Sequence, residues 1–207
     1  MRPGESKDGA GGALAVNTRN ERAAAPKRWY ACYTRGRHEK RVAALLEERG
    51  FEVFLPVVPR ERQWHDRTKV VEFPLFPSYV FSRFSLDAVA EVLGVPGATT
   101  IVRFDGRPAA IPDEEIANVR RFAAALAEAG VEPEPAPMVE VEAGEAVRVV
   151  SGPFRGVEGV VLEGRGGGRA LIRVGLRAIR QGLKVEVDAR SLQVIARPAG
   201  GPDAGLS

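Results

Sequence analysis

Residues 130–137, Gly-Val-Glu-Pro-Glu-Pro-Ala-Pro, constrain this chain more than any other stretch. Each proline fixes φ and lacks an N–H, so neither a helix interior nor a central strand can run through them. With acids interleaved, the segment reads as a stiff, extended, solvated linker. It divides the 207 residues into two units of small-domain size. The expected organisation is a disordered tail over 1–27, a first domain over 28–128, the linker over 129–140, a second domain over 141–197 and a disordered tail over 198–207.

The first unit mixes helical and extended patterns. Trp29-Tyr30-Ala31-Cys32-Tyr33-Thr34 is aromatic-rich and reads as a strand. Gly36, with Glu39 as a capping partner, opens a helix in which Val42, Leu45, Leu46 and Arg49 keep helical spacing until Gly50. Residues 51–58 read as a second strand ended by Pro59, and 60–69 as an exposed, charged hairpin arm. Extended structure returns at Val70, punctuated by Pro74 and Pro77 and running through Ser78-Tyr79-Val80-Phe81. Ser85 or Asp87 can cap a short helix through Leu93, 99–104 is another strand, and Asp105-Gly106 is a turn. Pro112-Asp113-Glu114-Glu115 then opens a helix whose acids suit the dipole and whose Ile116, Val119, Phe122 and Leu126 form one apolar stripe. The sum is an α+β domain, an antiparallel sheet with packed helices.

Beyond the linker the pattern is all-β. Residues 146–150, 171–174 and 183–187 alternate, with turns at Ser151-Gly152-Pro153, at 164–168 and at Gly175. Several short strands in so few residues make a small closed barrel the economical solution, because closure removes edges.

Catalytic and metal chemistry find little to stand on. One cysteine, Cys32, excludes an intrachain disulfide, and two histidines, His38 and His65, leave no ligand cluster for a metal. Gly164-Arg165-Gly166-Gly167-Gly168 lacks the Lys-Ser/Thr of a phosphate loop and is better read as a hairpin tip. Cys32 sits mid-strand, as a buried structural thiol would. The chain is therefore expected to be no enzyme and to hold no cofactor. No run approaches the roughly 18 apolar residues of a membrane helix. Residues 1–27 also lack the apolar core of a secretory signal, so the expectation is a cytoplasmic protein with no membrane contact.

Two signals are of a binding kind. Arg35, Arg37, Lys40 and Arg41 cluster at the start of the first helix. Cations there oppose the dipole by about 0.3–1 kcal/mol each. The cluster fits a phosphate ligand or, alternatively, a solvated face paired with Glu47 and Glu48. The second signal is aromatic: Tyr33, Phe76, Tyr79 and Phe81. In a strand Tyr79 and Phe81 share one face and Val80 takes the other. If Val80 faces the helices, the two aromatics line a face their own domain leaves open to a partner. The alternative is that both faces are covered internally.

Trp29-Tyr30-Ala31, Arg37-His38-Glu39-Lys40-Arg41-Val42 and Pro74-Leu75-Phe76-Pro77-Ser78-Tyr79-Val80-Phe81 together resemble the N-terminal domain of the NusG family. After the linker, the run from Gly144-Glu145-Ala146 through Gly152-Pro153-Phe154-Arg155-Gly156-Val157 to Val160-Val161 resembles a KOW motif, which implies an SH3-like barrel. The arm Arg62-Gln63-Trp64-His65-Asp66-Arg67, with 73–77 and 101–104, is similar to the specialised RfaH and UpxY-type paralogues.

The resemblance implies a transcription elongation and antitermination factor that suppresses pausing or termination, in an operon-specific way. Alternatives are a general NusG and a KOW-type RNA- or ribosome-binding protein. It implies that Tyr33, Phe76, Tyr79, Phe81, Ile116 and Val119 grip the clamp helices of the largest RNA polymerase subunit. Arg35, Arg37, Arg41 and Arg49 would touch the non-template DNA strand. Phe154, Arg155 and Val157 would offer the KOW surface to a small-subunit ribosomal protein. The protein is expected to act as a monomer. The His-Thr-Thr element of RfaH is missing around 86–89, and Val157 stands where NusG has an aromatic.

Overall fold

β1 (Arg28–Thr34) is the centre from which the first domain is built. The structure, a computed structural model, describes residues 25–64, 67–138, 144–165 and 167–197; the expected tails, apart from 25–27, and His65 lie outside the described residues. After β1 come α1 (Glu39–Glu48), β2 (Glu52–Phe54), a hairpin of β3 (Val57–Trp64) and β4 (Arg67–Pro74), and β5 (Tyr79–Phe84). A 3-10 turn, Leu86–Ala88, leads into α2 (Val89–Leu93). β6 (Ala98–Ile101), β7 (Arg103–Phe104), β8 (Arg107–Pro108), β9 (Ala110–Ile111) and α3 (Asp113–Ala129) complete the unit. The main sheet runs β2-β5-β1-β6, with β9 also on β1, and every pairing is antiparallel.

Register decides the two faces. Cys32 lies opposite Val80 and Tyr33 opposite Tyr79. Tyr30, Cys32, Val80 and Phe84 pack with Val42, Ala43 and Leu46 of α1 and Val92 of α2. Trp29, Ala31 and Phe81 belong to the other face and pack with Ile116, Val119 and Phe122 of α3.

Three local expectations are corrected. Glu39 does not cap α1; its buried carboxylate accepts the Ser78 N–H at 2.7 Å, tying the helix start to the entry of β5. The strand expected over 51–58 breaks before Val57, and Pro59 lies inside β3, opposite Glu72. A two-stranded ribbon leaves one side of each strand open, so a proline without an N–H is tolerated there. The strand expected over 99–104 breaks at Val102, whose N–H donates to the Ala31 carbonyl at 2.9 Å. Arg103 and Phe104 turn away to pair with Pro108 and Arg107.

The second unit is one antiparallel sheet, ordered β10-β14-β13-β12-β11-β15. Its strands are β10 (Glu134–Pro137), β11 (Ala146–Val149), β12 (Glu158–Arg165), β13 (Arg169–Leu176), β14 (Gln181–Asp188) and β15 (Leu192–Ala196). The two end strands, β10 and β15, do not pair with each other among the described residues. Part of the expected linker is thus a strand: Pro135 sits opposite Leu183, and Ala136 is buried. Prolines survive in β10 because it is the edge. Gly175 makes no turn; it faces Gly182 within the β13–β14 ladder. A Cβ at Gly175 would meet the Gln181 carbonyl oxygen at 2.5 Å, so the close backbone approach needs glycine.

Candidate functional site

The aromatic face of the first sheet is closed at one end and open at the other. Phe81 is fully buried, with Phe54 and Phe76 at ring-centroid distances of 6.2 and 6.0 Å. The Arg120 guanidinium of α3 lies 4.4 Å over Phe54 and 5.5 Å over Trp29, fastening the helix across that end. Phe76, Ile116 and Val119 are buried in the same cluster. Tyr33 and Tyr79 form the open end: their rings meet edge to face at 5.2 Å, Tyr79 is half-buried and Tyr33 is 41% exposed. Burial and, secondarily, the neighbouring Tyr33 raise the Tyr79 hydroxyl above its ordinary pKa. The expectation that both Tyr79 and Phe81 lie open is therefore halved. α3 and Phe76 cover Phe81 from within the domain, and only the Tyr33–Tyr79 end is accessible.

The opposite flank of α3 meets the second domain. Phe122 and Phe154 lie 6.0 Å apart. The Asn118 amide donates to the Glu158 carbonyl at 2.7 Å and accepts the Glu158 N–H at 2.8 Å. Arg121 donates to the Gly156 carbonyl at 2.9 Å, and Glu115 pairs with Arg177 at 2.8 Å. One continuous apolar core consequently runs from Trp29 through α3 to Val187. Of the three residues expected on the KOW surface, Phe154 and Val157 are buried in this cluster, while Arg155 is exposed.

The family model described as "Transcription termination factor nusG" matches residues 27–120. The protein named transcription termination/antitermination protein NusG in Thermus thermophilus is 31% identical over 152 residues, 65% of this chain and 81% of that protein. Its namesake in Deinococcus radiodurans is 32% identical over 156 residues, 65% of this chain and 82% of that protein. The chain belongs to the NusG family. It is a transcription factor of the NusG type. A solved structure of Thermotoga maritima NusG, concerned with domain interaction, is 24% identical at a TM-score of 0.45, covering 82% of this chain and 97% of that one.

In this NusG-family chain the basic cluster is only partly free. Arg35, Arg37 and Arg41 are exposed, and no ion pair joins them to Glu47 or Glu48 among the described residues. Lys40 instead reaches Glu72 at 2.8 Å. Arg49 donates to the Glu91 and Gly94 carbonyls at 2.7 and 3.4 Å, closing the C-terminal end of α2. Cys32 is fully buried and its thiol is pushed up to about 12 by desolvation, as suits a structural residue. Among the described residues no group of three potential ligands could hold a metal, and no helix is long and apolar enough to cross a membrane.

The residues that sequence reasoning missed are Glu115, Asn118, Arg120 and Arg121. Their spacing along α3 looks like an ordinary solvated face. Only the docked partner surfaces distinguish them.

Proposed function

We propose that this chain rides on elongating RNA polymerase as a non-enzymatic elongation and antitermination factor. Its first domain docks on the clamp helices of the largest subunit. The observation that carries this reading is the Tyr33–Tyr79 pair, an aromatic surface left open at one end of an otherwise closed core. Behind it Phe76, Phe81, Ile116 and Val119 provide a packed base. Docking across the polymerase cleft would favour the closed, active enzyme over its paused state by population shift.

Arg35, Arg37 and Arg41 are free to follow the non-template DNA strand. Arg49 contributes mainly by holding α2. The KOW surface around Phe154, Arg155 and Val157 is offered to a small-subunit ribosomal protein. Because Phe154 packs on Phe122, that contact competes with α3 for the same ring.

Binding of core RNA polymerase to the full-length chain and to a Tyr33→Ala/Tyr79→Ala variant tests the reading. A loss of roughly tenfold or more is expected, as for a pair of interfacial aromatics; unchanged binding would sink it.

An operon-specific role follows from the similarity of the arm and of 73–77 to the specialised paralogues. A general role is favoured by the NusG names of the relatives. Genome-wide occupancy of a tagged chain separates the two: a few operons for the first, most transcribed genes for the second.

A further inference from the structure

β7 and β8 form a small hairpin that the proposed polymerase contact does not use. Its turn is tight, with Asp105 at φ 48° and Gly106 at φ 75°, the left-handed pair that a two-residue hairpin requires. Phe104 is 72% exposed, the highest exposure among the large apolar side chains described. A lone exposed phenylalanine is unremarkable by itself. Its surroundings are not: Phe104 lies directly across the ladder from Arg107, and Arg103 precedes it.

The hairpin also separates two clefts. One, of about 600 Å³, is lined by Arg103 and Phe104 from the hairpin, Glu115 from α3, and Arg177 and Arg180 from the second domain. The other, of about 620 Å³, is lined by Arg28 and Arg107. Ala110 borders both, so they are adjacent. Among the described residues, five arginines and one carboxylate line the pair, and that carboxylate, Glu115, already engages Arg177. Arg28, Arg103 and Arg107 have no ion pair among the described residues. The cleft beside the β3–β4 hairpin is different, because there Arg60 and Arg62 are balanced by Glu61 and Glu132. A cationic track interrupted by a projecting aromatic ring is the chemistry that holds a single-stranded polynucleotide: phosphates on the guanidinium groups, one base stacked on the ring.

We propose that the β7–β8 hairpin and its two flanking clefts form a binding surface for single-stranded nucleic acid, with Phe104 as the stacking platform and Arg28, Arg103 and Arg107 as phosphate contacts. The surface is distinct from the Tyr33–Tyr79 end and stands whether or not that end meets polymerase. Duplexes bind worse, since their bases are already stacked. Because Arg177 and Arg180 come from the second domain, an occupied surface bridges both domains.

The test uses the full chain with fluorescently labelled oligo-dT, oligo-U and a duplex of equal length at low salt. Phe104→Ala is expected to weaken single-strand binding roughly tenfold, within the range measured for base–aromatic contacts. Arg107→Ala should lower the slope of log affinity against log salt by about 0.7, one phosphate contact on a single strand. In Phe104→Trp, binding is retained, and the added tryptophan emission is quenched by the oligomer. The dT and U arms establish which sugar is preferred. Undiminished binding by Phe104→Ala together with no quenching in Phe104→Trp would overturn the proposal, as would preference for duplex or loss of binding only on substitution of Arg35 and Arg41. A polypeptide that competes for Phe104 while the oligomers fail to bind would also overturn it.

Discussion

The side-chain amide of Asn118 is bonded in both directions to the backbone of Glu158, donating to its carbonyl at 2.7 Å and accepting its N–H at 2.8 Å. The amide thus mimics a strand neighbour at the start of β12. No other residue type of this length supplies a donor and an acceptor in that geometry except aspartate's neutral form. Asn118→Ala leaves both backbone groups without their partner and should cost the docked state about 1–3 kcal/mol, at 0.5–1.5 kcal/mol net per bond. Asn118→Asp should cost more, because a carboxylate then faces the Glu158 carbonyl. Small-angle scattering and protease cutting within 129–140 report the separation; equal compactness in all three proteins would contradict it.

The ring contact between Phe122 and Phe154 should couple the two domains energetically. Both rings are buried, so each Phe→Ala change is expected to destabilise by about 3–5 kcal/mol. In a double-mutant cycle the pair should show a favourable coupling of about 0.5–1.5 kcal/mol. Denaturant unfolding of the wild type, both single variants and the double variant measures it. Strict additivity would mean that the rings only fill space.

Ser78 adopts φ 67°, a left-handed conformation rarely favourable for a residue with a side chain, and its N–H is held by Glu39. Ser78→Gly should relieve the strain and stabilise the fold by up to ~1 kcal/mol, while a β-branched Ser78→Val should destabilise it. Glu39→Ala should cost about 1–3 kcal/mol by leaving that N–H unsatisfied, and Glu39→Gln less, since its amide oxygen can still accept. Thermal unfolding gives the order Ser78→Gly, wild type, Glu39→Gln, Glu39→Ala; any inversion of the last two would refute the hydrogen-bond account.

Much of this fold was legible from periodicity. β1, α1, β5 and α3 appear where aromatic runs, helical spacing and glycine stops placed them, and Val80 lies on the face opposite Phe81, as alternation required; that α1 and α2 cover it was a condition that periodicity left open. What failed was everything decided by a distant partner. Whether Pro59 and Pro135 end a strand depends on which side of that strand is open, and no local pattern carries that information. The stripe on α3 reads as one face but serves two: Arg120 marks the side toward the first sheet, Asn118 and Arg121 mark the side toward the second, and Phe122 belongs to the core they share. The aromatic site was half legible for the same reason. Alternation put Tyr79 and Phe81 on one face, but only tertiary packing shows that α3 reaches Phe81 and stops short of Tyr33.

Cys32 supplies a pH-dependent stability term whose sign is fixed by burial. Its thiol is fully buried between the sheet and α1, and desolvation pushes its pKa up to about 12, against about 8.5 for an exposed thiol. Below the unfolded value both states are protonated, and the contribution is complete. Between about 8.5 and the folded value only the unfolded chain loses its proton, which favours unfolding, so stability falls as pH rises through that window. Unfolding by urea at pH 7.5 and pH 10 should show the loss, and a Cys32→Ala variant, though less stable at both, should lose less between them. Under native conditions at pH 8.5 the thiol should react with iodoacetamide only at the rate of transient opening, and in urea at the rate of a free cysteine. A native reaction as fast as the unfolded one would place Cys32 at the surface and remove the term altogether.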